Sequence, residues 1–440
     1  MAIPEISQLK TRFHRGAVAV FAVNGAGMAL LFAVQVVLAR LLGAGEYGVY
    51  TYVLSYLGVL TLLGKFGLDS TLQRFVPDYV EKQEWGRCRG VLLRSFQLAA
   101  VIALVLSLGL VVVLVLTGQR MSQPVLHSFT VAAIVLPVWV MLRMVHGALL
   151  SLKRPVLSHM IDGVIPQAVL LLSAAGIWGS GLLDLNSPVT FWLLLLSYLV
   201  AMLTGIHWLV SRALPAGVAR ARAVFSTRQW VDVAFPLFVM SGMFVIMNYT
   251  DIIMLGLLGN TTDSGIYAVA SRVAGLVVLP LMFINSLLLP YISSLYHSGR
   301  KVELQRLVSL SSRFAGLAAI ILFAILWLSG DIILGLFGEE FGAGRRAMNI
   351  LLAAQLVNVL SGSVGHLMSM TGRHAIASIV VTSSAALNVL MNYLLIPVYG
   401  IEGAAVATTV SIFIWNLVFV AYIHKDLDIR PTFFSAIRAL

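Results

Sequence analysis

Residues 97–117 read QLAAVIALVLSLGLVVVLVLT, twenty-one residues without a charge. A helix of that length spans about 30 Å, the thickness of a bilayer's hydrocarbon core. A barrel strand would be about ten residues long and would alternate apolar with polar; this stretch does not. Segments of the same kind recur on both sides. Together they run over about 16–39, 47–68, 92–117, 127–150, 156–179, 189–211, 233–258, 265–292, 309–336, 345–370, 375–397 and 401–424. Bulk composition agrees: 60% of the 440 residues are apolar and 11% charged, with a mean hydropathy of +0.96. Soluble domains carry about 25% charged residues, and disordered chains are more polar still. The reading is an all-α polytopic membrane protein of about twelve transmembrane helices.

Charge sets the topology. With the N-terminus in the cytoplasm, alternate loops collect Lys10, Arg12, Arg15, Arg74, Lys82, Arg87, Arg89, Arg94, Lys153 and Arg154. They go on to collect Arg212, Arg220, Arg222, Arg228, Arg300, Lys301, Arg306, Arg313, Arg373, Lys425, Arg430 and Arg438. The other face holds Arg40, Arg120, Arg345 and Arg346, a ratio of 22 to 4. Cytoplasmic loops are the ones enriched in Lys and Arg, so both termini are expected inside. The same rule explains the net charge of +11 without nucleic acid, for which no polar domain exists. The first apolar run is too long for a signal-peptide core. One cysteine, Cys88, excludes an internal disulfide and a cysteine-based metal site.

The loop at about 212–230 divides the chain into two sets of six. The expected organisation is a lobe at 1–214, a basic cytoplasmic linker at 215–230 and a lobe at 231–440. Leu41-Leu42-Gly43 followed by Gly48-Val49-Tyr50 recurs as Leu257-Leu258-Gly259 followed by Gly265-Ile266-Tyr267. Six helices per copy give both halves the same orientation, which is the parallel-repeat plan of some transporters.

Polar residues within spans are costly and mark function or pairing. Lys65 and Asp69 are i,i+4 neighbours that can neutralise each other. Arg143 in span four, with His146 one turn on, is either a snorkelling cation or an anion-binding one, and Asp162 in span five is a candidate partner. An Asp251–Arg272 pair bracing spans seven and eight is one reading, and an anion-binding Arg272 the other. Asn24, Gln35, Asn248, Asn285, Gln355, Asn358, Asn388 and Asn392 either bond across helices or contact a sugar. No Walker A sequence, His-Glu-x-x-His or Gly-x-Ser-x-Gly occurs, and no loop is long enough for a soluble catalytic domain. The chain is therefore expected to be a non-enzyme without a cofactor.

Several stretches then resemble one family. They are Leu38-Ala39-Arg40-Leu41-Leu42-Gly43 with Glu46-Tyr47-Gly48-Val49-Tyr50, and Gly67-Leu68-Asp69-Ser70 with Arg74-Phe75-Val76. Asp251, Leu257-Leu258-Gly259, Gly265-Ile266-Tyr267 and Arg272 follow. The last are Thr371-Gly372-Arg373, Asn388, Asn392, Pro397, Tyr399-Gly400-Ile401 and Gly403-Ala404-Ala405-Val406-Ala407-Thr408. In order and spacing these resemble the polysaccharide flippases of the multidrug/oligosaccharidyl-lipid/polysaccharide (MOP) exporter superfamily. The resemblance implies two six-helix lobes in a V around a central cavity. It also implies a plasma or inner-membrane location and a substrate of the undecaprenyl-diphosphate-linked oligosaccharide type, moved from the cytoplasmic to the outer leaflet. Its implied partners are membrane lipids, a polysaccharide polymerase and chain-length proteins. On that reading Arg143, Arg272 and Lys65 contact the anionic headgroup. Asn24, Asn248, Asn285 and Asn388 contact sugar, and Asp69, Asp162 and Asp251 couple an ion or proton. The competing readings within the superfamily are a cation-coupled drug antiporter and a lipid II-type flippase, the latter usually with fourteen helices.

Overall fold

A computed structural model describes residues 6–181 and 184–435. The side chains at 6–17, 240, 241, 243, 244, 287, 289, 290 and 374 lie outside that description, and so do Lys10, Arg12, Arg15 and Arg438 of the predicted inside set. Among the described residues there are helices and no strands. This is the solution hydrocarbon imposes, because a helix satisfies its own backbone hydrogen bonds.

The long helices are α1 (Ile6–Lys65), α2 (Leu68–Glu81), α3 (Trp85–Thr117), α4 (Gln123–Ser151), α5 (Pro155–Ser180) and α6 (Ser187–Ala213). The second half holds α7 (Thr227–Leu258), α8 (Thr261–Gly275, a 3₁₀ turn, then Leu279–His297), α9 (Lys301–Phe337), α10 (Arg345–Leu360, then Val364–Met370) and α11 (His374–Leu427). Two of these are double spans. Helix α1 breaks at Gly43 (φ 69°, ψ 172°) and α11 at Gly400 (φ 55°, ψ −128°), backbone conformations that suit glycine. Helix α2 is amphipathic, not spanning: Leu68, Leu72, Val76 and Tyr79 are buried and its other face is polar. With each double helix counted as two, the described residues hold twelve helical segments, each over a stretch expected from sequence to span.

Helices α3 and α9 each present a long exposed apolar face. Val101, Leu104, Leu108 and Leu116 on α3 and Phe314, Ile321, Leu328 and Ile332 on α9 are all exposed. In water such patches would be anomalous; in lipid they are the outer wall. The interior instead favours small residues that let backbones approach. Helix α4 buries Ser128, Ala132, Ala133, Gly147 and Ala148, and packs on α6, which buries Ser187, Thr190, Ser197 and Ala201.

Packing divides the chain into two compact units. One contains residues up to Leu42 with Val53–Val245, the other Gly43–Tyr52 with Ile246 onward. In the first unit the inter-repeat segment is docked rather than loose. Arg89 donates to the carbonyls of Ala219 (2.9 Å) and Ala221 (2.8 Å). The Val224 amide donates to the Gly86 carbonyl (2.9 Å), Arg94 lies 4.9 Å over the Phe225 ring, and the Trp230 indole donates to the Tyr79 hydroxyl (3.2 Å). In the second unit the two repeated blocks touch. A Cβ on Gly265 would lie 2.8 Å from the Gly48 Cα, so only glycine admits this approach. Beside it the Ala44 amide donates to Glu340 Oε2 (2.7 Å).

Candidate functional site

The first unit gathers its intramembrane charges on one face of α4. Arg143 donates through Nη1 to Asp162 Oδ1. Asp162 sits in a π-helical turn, Met160–Val164, at the start of α5. Such a turn inserts an extra residue and re-aims its neighbours, and it recurs at functional sites. The turn is braced from two sides. On one, Gly163 meets Gly27 of α1, backbone against backbone. On the other, the Ser158 hydroxyl lies 2.8 Å from both Nδ1 and the carbonyl of His146. The rings of His146 and His159 stand edge to face, 5.7 Å apart. One turn along α4, Gly147 packs against Asp69. Asp69 accepts from Lys65 Nζ through Oδ2 (2.7 Å), while its buried Oδ1 has no partner. Two cations and two carboxylates thus flank one stretch of α4. Arg143 and Asp162 keep about a third of their side-chain surface exposed, 36% and 28%, so this pair is reachable.

The second unit treats its carboxylate differently. Asp251 on α7 is buried and accepts three hydrogen bonds from uncharged groups. The Tyr267 hydroxyl donates to Oδ2 (2.6 Å), as does the Thr408 hydroxyl, and the Asn392 amide donates to Oδ1 (2.7 Å). Asn388 extends the network, donating to Thr408 (3.2 Å) and accepting from Asn392 (3.1 Å). Asn392 Oδ1 is buried without a partner.

The Asp251–Arg272 pair expected from sequence does not form. Arg272 instead donates to the Tyr47 hydroxyl and lies 5.9 Å over its ring. The reason is helical phase. Tyr267 is the α8 residue that faces Asp251, and five residues on, Arg272 is rotated by about 140°. Tyr267, Thr408 and Tyr47 were visible only as motif residues, without an assigned role. Of the proposed sugar contacts, Asn285 is buried and accepts from Ser363, and Asn388 is committed to the Asp251 network. Asn24 is half-buried one turn before Gly27, and Asn248 is exposed. Among the described residues no group of three or more His, Cys, Asp or Glu is arranged to hold a metal ion.

These features define a class: a polytopic helical membrane protein with the fold of MOP-superfamily transporters. A multidrug resistance MATE family transporter of that superfamily, in an inward-facing conformation, superposes with a TM-score of 0.79 at 13% identity, covering 94% of this chain and 98% of that one. The lipid II flippase MurJ, inward closed, superposes with a TM-score of 0.69 at 13% identity, covering 93% and 87%. Within the class, residues 13–296 match the polysaccharide biosynthesis protein family and residues 236–420 the MatE family. The first match covers more than half of the chain, which therefore belongs to the polysaccharide biosynthesis protein family, as the motif resemblance implied. A relative along nearly the whole length is the probable low-salt glycan biosynthesis flippase Agl15 of Haloferax volcanii, 23% identical over 423 residues, 94% of this chain and 84% of that protein.

Proposed function

We propose that this chain flips a lipid-linked oligosaccharide, on a carrier of the undecaprenyl-diphosphate type, from the cytoplasmic to the outer leaflet of the plasma or inner membrane. The observation that carries the reading is its family membership together with its full-length likeness to a glycan-biosynthesis flippase. The loop charges support cytoplasmic termini. The chemistry is non-enzymatic. A diphosphate and a polar sugar cannot enter hydrocarbon without replacement of their hydration, and the lipid tail can stay in the bilayer.

Arg143 is the residue for the headgroup. A guanidinium offers a planar fork that fits phosphate as well as carboxylate. A substrate diphosphate would compete with Asp162 for it and release the carboxylate. Lys65 and Arg272 are further anion contacts, and Asn24 and Asn248 are amides that would contact sugar. Rocking of the two repeats, 1–214 and 231–440, would carry access from one leaflet to the other. Asp251 would couple that motion to a proton or small cation, since its neighbours supply oxygens and no cation.

The second reading, a cation-coupled drug antiporter, is favoured by the MatE match over 236–420. Deleting the gene in its host and assaying lipid-linked saccharides by leaflet separates the two. The flippase reading expects saccharide to accumulate on the cytoplasmic face, relieved by the intact gene but not by Arg143→Ala at equal membrane level. No accumulation, with greater susceptibility to cationic drugs, would replace it with the antiporter.

A further inference from the structure

Each half of the chain makes the same turn at the same place. Helix α4 ends at Ser151, and Leu152-Lys153-Arg154 leads into α5. Helix α10 ends at Met370, and Thr371-Gly372-Arg373 leads into α11. The closing hydrogen bonds match. The Lys153 amide donates to Leu150 (3.0 Å) and that of Arg154 to Leu149 (2.9 Å). The Gly372 amide donates to Ser369 (3.4 Å) and that of Arg373 to Met368 (3.0 Å). This is the Schellman closure, with its left-handed residue after the cap. Glycine fills that position in the second half (φ 81°), but Lys153 does in the first (φ 58°), at a cost of about 1 kcal/mol.

The surroundings differ in one carboxylate. Arg373 is held by Asp426, Nε to Oδ2 at 2.5 Å, and by the Tyr296 hydroxyl at 2.8 Å. Asp426 is the penultimate residue of α11. The penultimate residue of α6, its counterpart in the first half, is Arg212. Lys153, Arg154 and Arg212 therefore line one cavity of about 520 Å³, completed by Pro155, Val156 and Leu157. Among the described residues no carboxylate pairs with any of the three. Arg212 only lies 5.9 Å from the Trp208 ring. One copy of the turn neutralises its arginine internally. The other keeps three mutually repelling cations around a space of ligand size, with an apolar wall.

We propose that this cavity binds the phosphate of a lipid headgroup. The shared chemistry is a phosphate ester or diphosphate at the membrane interface, with its first methylenes against Pro155, Val156 and Leu157. The source is either a bulk anionic phospholipid or a polyprenyl diphosphate. The inference rests on the turn and the cavity, and does not need the transport reading to hold.

Native mass spectrometry of the full-length protein, titrated separately with phosphatidylglycerol and with an unglycosylated prenyl diphosphate, tests it, since adduct mass identifies the source. The pocket variant carries K153Q, R154Q and R212Q. A control carries R220Q, R228Q and K301Q, losing the same charge elsewhere. A cation at the interface is worth about 1 kcal/mol, or about fivefold, so the pocket variant should bind about 100-fold more weakly. The control should stay within about twofold. Saturable binding of either lipid with that contrast supports the site, and the tighter one names its source. Equal losses in both variants would reduce the effect to general surface charge and overturn it, as would the absence of a saturable adduct. Arg212→Asp gives a second reading. It installs the carboxylate of the other copy, so the fold should hold while the adduct is lost; an adduct that survives this change also overturns the site.

Discussion

Asp162 and Asp251 are both carboxylates inside the membrane, and they are kept there in different ways. Asp162 is half-open and held by a guanidinium. Asp251 is closed off and held by a phenol, a hydroxyl and an amide. A buried charge must be paired or neutralised. For Asp162 the structure supplies the partner; for Asp251 it supplies only donors and oxygens. On the proposed reading, the two units answer to different solutes. An anion can compete for Arg143 and open the first site. The second has no cation to give up, and responds only to a proton or cation arriving at the carboxylate. On the proposed reading, the two halves divide anion chemistry from cation chemistry.

The largest effect should come from breaking that division on the anion side. Arg143→Ala strands Asp162 and removes the headgroup contact together. Removing one partner of a fully buried pair costs about 3–5 kcal/mol, and partial exposure lowers that here. Thermal denaturation should show a modest loss of stability, which Arg143→Ala with Asp162→Ala restores. Leaflet transport should stay low in both, since neither variant can hold phosphate. Recovery of transport in the double variant would make the pair purely structural.

Next in size is Asp251→Asn, which keeps the shape and removes the charge. The fold should survive, with the denaturation midpoint within a few degrees. Transport should lose its dependence on the ion or proton gradient, measured in vesicles with an imposed gradient. Tyr267→Phe is milder, since it removes one of three donors to the same carboxylate. A lost hydrogen bond to a charged group is worth about 1.5–3 kcal/mol, so the midpoint of the gradient dependence should move by about tenfold or more. An unchanged midpoint would place the coupling elsewhere.

The spans were legible because hydrocarbon admits so few solutions: length, apolarity and loop charge were enough to locate all twelve. The Lys65–Asp69 pair was legible from i,i+4 spacing, and Arg143–Asp162 from the positions of two charges on consecutive spans. Of the two readings of Arg272, the pair with Asp251 fails because proximity along two helices says nothing of their rotation. Thr408 stayed without a role because a threonine hydroxyl in an apolar span ordinarily bonds its own helix, as Thr250 does to the Ile246 carbonyl, and Tyr267 because nothing in its spacing marks which carboxylate its phenol reaches. Docking of the inter-repeat segment was hidden for another reason. Its side chains, Arg89, Arg94 and Trp230, meet backbone acceptors, a ring and a phenol, and those partners leave no mark on composition. The cavity at Lys153, Arg154 and Arg212 looked like ordinary loop charge until its counterpart at Arg373 could be set beside it.

The smallest effect separates the two ways in which Arg272 is held. Its guanidinium donates to the Tyr47 hydroxyl and also lies over the Tyr47 ring. Tyr47→Phe removes the first contact and keeps the second. A cation over a phenyl face retains about 0.5–2 kcal/mol of attraction, and the ring keeps its edge-to-face packing on Phe341, 5.6 Å away. The variant should therefore lose about 1.5 kcal/mol of stability, the low end for a hydrogen bond to a charged group. Tyr47→Leu, which removes both contacts and the aromatic pair, should lose distinctly more in the same denaturation series. If Arg272 also binds the headgroup, Tyr47→Phe frees a donor, and apparent substrate affinity should rise slightly as stability falls. If Arg272 is only a brace, the two measurements fall together. This opposition of signs assigns Arg272 to the anion side of the division or to the scaffold.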